Sequence, residues 1–311
     1  MEQVLVLGGS GFLGSHVTSE LRDAGYDPVV ASRRTGMDLC DFESTRSHLA
    51  ELRPDVIVNC AAHVGSVHYV TEFSATVLQD NMQMALNLYR AAHESCPEVH
   101  VINPLSNCSY PGDANIHYEP DWWNGAVHDS VLPYGTTRKM VYVVSQCYAQ
   151  QHGMHTTNFL VANAYGPGDY VDPNKVHALN GMIIRFLRAK WDKQGAFEIW
   201  GTGKPIREWV YVRDVARMLV DAISTDRGEA YPLNIAQNRG YSIAELARTI
   251  ADAVGFAGEL TFNTQYQDGA PIKVLDDRHF RAAYPDFEFY PIEQGIRDTV
   301  AYYEEALDRP S

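Results

Sequence analysis

Short apolar runs alternate with helix-length amphipathic segments through the first half of the chain. Each run suits one buried strand, because parallel strands covered on both faces show nearly continuous apolar stretches. Between the runs, apolar residues recur at three- and four-residue steps, as in helices that bury one side. The alternation predicts parallel strands joined by crossover helices. The predicted strands are 4–7, 28–32, 55–62, 99–106 and 156–165, and the predicted helices are 12–24, 43–52, 74–94 and 134–152.

The pattern changes after about Gly166, where glycine and proline become more frequent and the elements shorter and mixed in type. Such texture is expected of a smaller lobe that shares a ligand cleft with the first one. Within it, Ser242 and Glu245 have capping-box spacing and predict a helix that ends at Gly255. We therefore predict an α/β fold. It combines a Rossmann-like doubly wound parallel sheet in 1–165, to which part of 205–236 returns, with a smaller C-terminal α/β substrate lobe formed mainly by 166–311.

Charge and composition exclude several classes of protein. The 311 residues include 25 basic and 39 acidic side chains, and the net charge of −14 argues against nucleic acid or an anionic membrane surface as main partner. The five cysteines lack CxxC spacing and the twelve histidines are dispersed, so neither a disulfide framework nor a metal site is expected. With no signal peptide or membrane span predicted, a reducing cytoplasm fits best.

A glycine-rich turn follows the first predicted strand. The sequence GGSGFLG places Gly8, Gly11 and Gly14 three residues apart. Glycine permits a sharp turn and lets backbone N–H groups approach a diphosphate at the start of the next helix, while the last glycine lets helix and strand pack closely. Its position between a strand and an amphipathic segment predicts a dinucleotide site. The alternative is a tight turn without a ligand.

The end of the second predicted strand bears on the choice of dinucleotide. NAD sites place an acidic side chain about twenty residues beyond the glycine turn to bind the adenosine ribose. Here Ser32, Arg33 and Arg34 supply a hydroxyl and two guanidinium groups instead. These groups suit a ribose 2′-phosphate, and the sequence predicts NADP(H). Asp38 either contacts the adenine or caps a helix.

A serine and a tyrosine are expected beyond the strand ends. Ser106 ends a predicted central strand, and Tyr134 begins the following helix within LPYGTTRKM. A phenol titrates near ~10, so acid–base work at neutral pH requires a nearby cation. Arg138 shares a helix face with Tyr134, whereas Lys139 is rotated by about another 100°. Three interpretations follow: arginine completes a working site, a shifted helix brings in Lys139, or an epimerase has weakened reductase activity because arginine cannot relay protons.

These features resemble the extended short-chain dehydrogenase/reductase superfamily, the NAD-dependent epimerases/dehydratases, whose members mostly act on nucleotide sugars. Within it, the chain is most similar to the GDP-L-fucose synthases. The resemblance implies an NADPH-dependent 3,5-epimerase and 4-reductase of a nucleotide-diphosphate 4-keto-6-deoxy sugar, with Arg138 in place of the family's lysine. The matching stretches are PLSNCSYP (104–111), NAYGPGDYVDPNKVH (163–177), WGTGKPIREWVYVRD (200–214) and DGAPIKVLD (268–276).

The resemblance also implies roles for single residues. Cys108 and His177 match the epimerising pair, while Tyr134 would protonate the C4 oxygen and Ser106 would donate a hydrogen bond to it. A ketone at C4 acidifies the protons at C3 and C5, so an acid and a base on opposite faces can invert these carbons through an enolate. The expected cofactor contacts are Gly8, Gly11, Phe12, Leu13, Gly14, Ser32, Arg33, Arg34, Asp38, Leu39, Ala61, Ala62, Tyr134 and Arg138.

An acidic protein needs a local cluster of cations to bind a nucleotide diphosphate. Arg185, Arg207 and Lys273 match the family's positive positions and are expected to contact the diphosphate or sugar. For any one of them, a surface ion pair is the alternative. Asn163, at the end of the fifth predicted strand, is expected to contact the sugar or the nicotinamide.

Other functions stay open. A redox-neutral nucleotide-sugar 4-epimerase or a simple 4-ketoreductase would leave Cys108 and His177 as bystanders, although the SRR sequence disfavours an NAD-retaining epimerase. A dehydratase is disfavoured because Asn107, not an acidic residue, follows Ser106. A non-catalytic NADP-binding regulator would not need Ser106, Tyr134, Cys108 and His177 together.

The helices at 74–94 and 134–152 are expected to mediate self-association. They carry apolar residues on more than one face, for instance Val141, Val144 and Tyr148. Such surfaces suit a homodimer with a four-helix interface, which the resemblance also implies.

Overall fold

The computed structural model describes residues 2–225, 231–266 and 268–307. The strands of this part of the chain fall into one large and two smaller sheets. They are β1 (Val4–Leu7), β2 (Val29–Ala31), β3 (Val56–Asn59), β4 (His100–Ser106), β5 (Ile116–His117), β6 (Thr156–Val161), β7 (Asn163–Tyr165), β8 (Ala196–Trp200), β9 (Ile206–Tyr211), β10 (Leu233–Ile235), β11 (Gly240–Ser242), β12 (Glu259–Asn263) and β13 (Ile272–Leu275).

The helices connect and cover these strands. They are α1 (Phe12–Asp23), α2 (Phe42–Leu52), α3 (Val67–Glu72), α4 (Ser74–Ser95), α5 (Leu132–His152), α6 (Ala178–Trp191), α7 (Val212–Asp221), α8 (Ile243–Val254), α9 (Arg278–Ala283) and α10 (Ile292–Ala306).

The large sheet is parallel, with strand order β10-β6-β4-β3-β1-β2. Side chains of β1 alternate between its two faces, and all four are buried. Val4 and Val6 pack in one core with residues of α1 and α7, whereas Leu5 and Leu7 pack in another with residues of α2 and α4. Burying each such side chain contributes about 1.5–3 kcal/mol. The predicted doubly wound architecture is therefore confirmed.

The remaining strands build the second lobe. A five-stranded sheet has the order β11-β9-β13-β5, with β7 paired to β9, and a separate ribbon pairs β12 with β8. A third core includes residues of α6, α8 and α10. After β9 the chain returns to the large sheet, where β10 pairs with β6. The domain limits stay a prediction, but this return is an observed feature of the topology.

The predicted elements of the first half are present, with one correction. The apolar run 156–165 is not one strand, because β6 ends at Val161 in the large sheet and β7 pairs with β9 in the smaller one. The break at Ala162 turns the chain from the first lobe into the second. The predicted capping box is confirmed: Ser242 caps α8, with Glu245 completing the motif, and Gly255 ends the helix in a left-handed conformation.

Two of the three residues predicted to form a dimer surface lie inside the subunit. Val141 and Val144 are 2% and 7% exposed and belong to the core, while the half-buried Tyr148 packs against Tyr89. Their sequence pattern did not distinguish burial against the sheet from burial by a partner. No described helix is both long and apolar enough to cross a membrane.

Candidate active site

A cavity of ≈ 560 Å³ opens at the carboxyl ends of the large sheet's strands. Parallel α/β sheets bind ligands at this edge. One part of its wall is the turn between β1 and α1, and another is formed by Ser106, Tyr134 and Arg138. The cavity also includes most of the predicted cofactor residues, namely Gly8, Gly11, Phe12, Leu13, Ser32, Arg33, Arg34, Asp38, Leu39, Ala61 and Ala62.

The glycine turn has the form of a diphosphate cradle. A Cβ on Gly14 would collide with the Gly8 carbonyl oxygen, so α1 packs against the turn only because Gly14 has no side chain. Gly14 itself is buried behind the cavity wall, as its predicted packing role requires. Gly11 is the N-cap of α1, makes no side-chain cap, and no acidic residue follows in the first turn. The uncapped N–H groups therefore suit an anionic ligand.

The residues after β2 form a short turn at the rim of the cavity. Arg33 and Arg34 are exposed within a 3₁₀ turn, Arg33–Thr35, which the Thr35 hydroxyl ties to Ser32 N at 2.8 Å. Both arginines are exposed at the end of β2, where their guanidinium groups can meet a phosphate, which fits NADP(H). Asp38 Oδ1 accepts from Cys40 N at 2.9 Å. The cap of α2 is Asp41, so the helix-cap alternative for Asp38 is wrong.

Ser106 and Cys108 share a tight turn at the end of β4. Ser106 Oγ accepts from Cys108 N at 3.2 Å, which leaves the serine O–H available to donate. The first turn of α5 packs directly on this segment, because a Cβ on Gly135 would lie only 2.5 Å from Cys108 O. Gly135 therefore allows Tyr134 to approach the serine and cysteine, and all three line the cavity.

Tyr134 and Arg138 lie on one face of α5, as the four-residue spacing predicts. Arg138 Cζ is 5.1 Å from the centre of the Tyr134 ring, and its Nη2 donates to Asn81 Oδ1 at 2.8 Å. Arg138 is 4% exposed, and its buried Nε has no hydrogen-bond partner within the described ranges. Burial raises the pKa of Tyr134, and the Arg138 guanidinium opposes this rise without cancelling it. The expected net lowering of the phenol pKa is not found.

Lys139 points away from the cavity. Its Nζ donates to Trp122 O at 2.6 Å and lies 4.9 Å from the ring centre of Trp123. Trp122 and Trp123, in the loop before α5, thus hold the lysine away from Tyr134. The interpretation in which a shifted helix brings Lys139 to Tyr134 is therefore wrong, because α5 is regular from Leu132 to His152.

His177 lies in the cavity wall just before α6, and a residue that the sequence analysis missed holds it there. Asp169 Oδ2 accepts from His177 Nδ1 at 3.0 Å and from its backbone N at 2.9 Å. The Phe12 ring packs against the imidazole, with centroids 5.2 Å apart. Asp169 belongs to the matching stretch 163–177, but an eight-residue separation in a loop gave no signal that the two side chains meet.

The sequence patterns also did not predict a second pair of a histidine and a carboxylate. His63 Nδ1 lies 2.8 Å from Asp80 Oδ2, and both residues line the cavity. His63 Nε2 lies 2.9 Å from the Tyr69 hydroxyl. Asn81 accepts from His63 N and from Arg138 Nη2 on the same oxygen. This amide therefore couples the loop after β3 to the arginine beside Tyr134.

The predicted substrate residues divide into two groups. Asn163 lines the cavity, and its amide donates to Glu208 O at 2.8 Å. Arg207 and Lys273 stand side by side on paired strands, and burial lowers the pKa of both. Arg185 lies further out, with its guanidinium 5.2 Å from the Trp200 ring centre. The three cations lie outside the cavity wall itself.

The comparisons with known proteins agree with this geometry. A family model, the NAD dependent epimerase/dehydratase family, matches residues 4–236, well over half of the chain. GDP-L-fucose synthase from Dictyostelium discoideum is 28% identical over 307 residues, with 96% of this chain and 94% of that protein covered. The Escherichia coli (strain K12) GDP-L-fucose synthase is 26% identical, with 99% of each covered.

A solved structure of a similarly named protein also resembles this chain in its three-dimensional fold. The GDP-L-fucose synthetase from Naegleria fowleri, crystallised with NADP, has a TM-score of 0.87 and 26% identity, covering 98% of this chain and 93% of its own. The chain is therefore a member of the NAD-dependent epimerase/dehydratase family.

Proposed function

We propose that the protein is an NADPH-dependent epimerase/reductase that acts on a GDP-linked 4-keto-6-deoxy sugar, in the manner of the GDP-L-fucose synthases. The observation that carries this proposal is that Ser106, Cys108, Tyr134, Arg138 and His177 line one cavity with the glycine turn. Relatives named GDP-L-fucose synthase align along nearly the whole chain. A sugar nucleotide in the cavity would therefore meet both acid–base groups and a hydride donor.

Epimerisation would use Cys108 and His177 as an acid–base pair. One takes the proton from C3 or C5 beside the 4-ketone, and the electron pair moves onto O4 as an enolate. The other returns a proton to the opposite face, so the carbon inverts with no net redox change. Ser106 and Tyr134 would stabilise the enolate oxygen by donating hydrogen bonds. Such positioned acid–base groups contribute typically about 10²–10⁴-fold each.

Reduction would follow at C4. A bound NADPH would supply the hydride. Tyr134 O–H would give its proton to O4 while Ser106 keeps its hydrogen bond to that oxygen. The Arg138 guanidinium provides the positive field that favours the resulting phenolate, and as a group of the cavity wall it can hold a ribose hydroxyl of the dinucleotide. Because arginine stays protonated, Tyr134 must regain its proton by another route.

The diphosphate would be bound by cations of the second lobe. Arg207 and Lys273 lie on adjacent strands at a shared register, and Arg185 stands beside the exposed Trp200. Charge-assisted hydrogen bonds from two or three cations can hold a diphosphate on a protein whose net charge is −14. Asn163, between the lobes, suits a contact with the sugar or the nicotinamide.

Assembly and location are also part of the proposal. Exposed or half-buried apolar side chains recur along α4 at Leu78, Met82 and Leu86, with Leu78 and Leu86 more than 40% exposed. A similar stripe on α5 is formed by Met140, Val143 and Cys147. Two copies pairing these helices would form a four-helix homodimer interface. The five free cysteines suit a reducing cytoplasm.

One experiment tests the function directly. The protein is incubated with NADPH and a panel of GDP-4-keto-6-deoxy sugars in deuterated water. We expect deuterium at C3 and C5 and stoichiometric NADPH oxidation with at least one sugar. NADPH oxidation without label would indicate a simple 4-ketoreductase, and label without oxidation an epimerase with lost reductase activity. Neither label nor oxidation with any sugar would overturn the proposal.

A further inference from the structure

We propose that Asp169 is the positioning residue that makes His177 an acid–base group through its Nε2 atom. The inference rests on the proposed function, because it assigns the proton-carrying atom of the epimerising histidine. Asp169 touches neither the cavity nor any reacting atom, since its side chain is fully buried behind His177. Its action on the reaction therefore passes through the imidazole alone.

The geometry fixes the orientation of the imidazole. Asp169 lies in the loop between β7 and α6, and its Oδ2 accepts three hydrogen bonds. His177 supplies two of them, from its backbone N and from Nδ1, and Asn180 Nδ2 supplies the third at 3.1 Å. The Phe12 ring packs against the imidazole face. With backbone, ring nitrogen and ring face all held, His177 keeps one orientation in the wall of the cavity.

The same contact fixes the tautomer. A carboxylate only accepts hydrogen bonds, so Nδ1 must carry the hydrogen that Asp169 receives. The lone pair of neutral His177 is then on Nε2, to which no hydrogen bond runs from the residues that the structure describes. Nε2 is consequently the ring atom that can exchange a proton with one face of the sugar, while Cys108 acts on the opposite face.

The Asp169 carboxylate is in direct contact with the ring that would carry the charge. The donors to its Oδ2 besides the imidazole are a backbone N–H and an amide, both neutral, and Oδ1 has no hydrogen-bond partner in the described part of the chain. Asp169 is 4% exposed, so water screens the charge little. When Nε2 takes a proton, the imidazolium gains a buried counter-ion that is already in contact.

The variant Asp169→Asn tests this assignment because it keeps the shape and removes the charge. We expect about a 10- to 100-fold slower deuterium incorporation into the sugar, a part of the 10²–10⁴-fold that acid–base groups contribute. The pH dependence of incorporation should shift, whereas NADPH affinity should stay within about 2-fold. In a His177→Asn background, the same Asp169 substitution should have no further effect on incorporation.

A measurement on the unaltered protein covers the case in which Asp169→Asn fails to fold. Nitrogen-15 NMR of histidine-labelled protein, with the His177→Asn spectrum to assign the signal, should show Nδ1 protonated and Nε2 unprotonated in neutral His177. The opposite tautomer would overturn the inference, as would additive losses in the double variant. If the unaltered protein incorporates no deuterium yet shows the Nδ1–H tautomer, the proposed function fails while the Asp169–His177 assignment stands.

Discussion

The Tyr134 ring and the Arg138 guanidinium stand on one face of α5, 5.1 Å apart from ring centre to Cζ. Arg138 is fixed in this position by Asn81, which also holds the loop containing His63. The guanidinium is therefore held beside the phenol by a buried hydrogen bond. It differs from a catalytic lysine in that it supplies charge and hydrogen bonds without exchanging a proton.

Separate substitutions of Tyr134 and Arg138 distinguish the contribution of the phenol from that of the guanidinium. Tyr134→Phe should lower ketone-dependent NADPH oxidation by at least about 100-fold, because the phenylalanine has no proton to give to O4. Arg138→Lys should retain oxidation within about 10-fold, since an ammonium at this position supplies the same charge. Stopped-flow absorbance of NADPH under single-turnover conditions measures both. Turnover of Tyr134→Phe equal to that of the unaltered protein would remove the phenol from the mechanism.

Gly135 should be intolerant of even one methyl group. In Gly135→Ala the new Cβ would meet Cys108 O at 2.5 Å, so the start of α5 must move away from the Ser106–Cys108 turn. A displacement of about 1 Å at reacting groups can cost about 100-fold in rate. We expect kcat to fall by that order, with NADPH affinity nearly unchanged.

A matched glycine elsewhere in the chain tests whether the fall in kcat comes from the contact at Gly135. Gly195→Ala introduces the same methyl group into open space, at a position without a left-handed backbone conformation. This variant should keep full activity. Equal kcat values in the two variants would show that the contact between α5 and the Ser106–Cys108 turn does not set the geometry of the site.

Sequence patterns located the scaffold better than the contacts within the site. The glycine spacing at 8–14 and the strand-end position of Ser106 place these residues correctly, because parallel strands bring their carboxyl ends to one edge. The rotation argument for Arg138 and Lys139 also succeeded, since helix geometry alone fixes it. Asp169 and Asp80 were missed because their histidine partners approach through loop conformation and tertiary packing, which no period in the sequence records.

Two wrong predictions, the dimer surface at Val141 and Val144 and the single strand at 156–165, have the same cause. Val141 and Val144 are apolar whether a helix packs on its own sheet or on a partner. The run 156–165 reads as one strand because its apolar residues continue across the break at Ala162, and only the pairing of β7 with β9 separates the two strands. In both cases the local sequence predicts that the side chains are buried, but it does not predict which surface they pack against.

Coenzyme choice should depend on the two arginines after β2. Arg33→Ala combined with Arg34→Ala should weaken NADPH binding about 10- to 100-fold, because each charge-assisted hydrogen bond contributes about 1.5–3 kcal/mol. NADH lacks the 2′-phosphate, so its affinity should change by less than about 3-fold. Fluorescence titration of both reduced dinucleotides provides the comparison. Arg46→Ala, which removes an arginine paired with Glu43 on α2, is the control. A parallel loss for both dinucleotides would contradict recognition of the 2′-phosphate.

The stripe on α4 should hold the two subunits of the proposed homodimer together. Leu86→Glu puts a charge on a side chain that is 47% exposed in the subunit, so folding of the monomer should be little affected. Sedimentation should show the unaltered protein as a dimer and the variant as a monomer. Phe262→Glu, on an exposed apolar residue of β12 away from α4 and α5, should stay dimeric. A dimer that survives Leu86→Glu would place the interface elsewhere.

Glu208 should give the fold a distinct pH dependence. Its carboxylate is 1% exposed and accepts from Gln237 N and Leu275 N, which joins β9 to the segments around it. Burial raises its pKa to about 7, although the two backbone N–H groups oppose that rise. The folded state therefore binds a proton more tightly than the unfolded state. The resulting stabilisation is fully present below the ordinary pKa of 4.5 and is lost as pH rises through about 7.

A pKa difference of this size corresponds to about 3 kcal/mol. Urea unfolding at pH 5 and pH 8 should therefore show a larger loss of unfolding free energy in the unaltered protein than in Glu208→Gln, whose amide does not titrate in this range. The comparison concerns the change with pH, since the amide also lowers stability at every pH by placing an NH₂ group against a backbone N–H. Glu259→Gln, at an exposed strand position, should leave the pH dependence as it is. Identical pH dependence in the unaltered protein and Glu208→Gln would mean that Glu208 stays ionised in the fold, held by its two backbone donors.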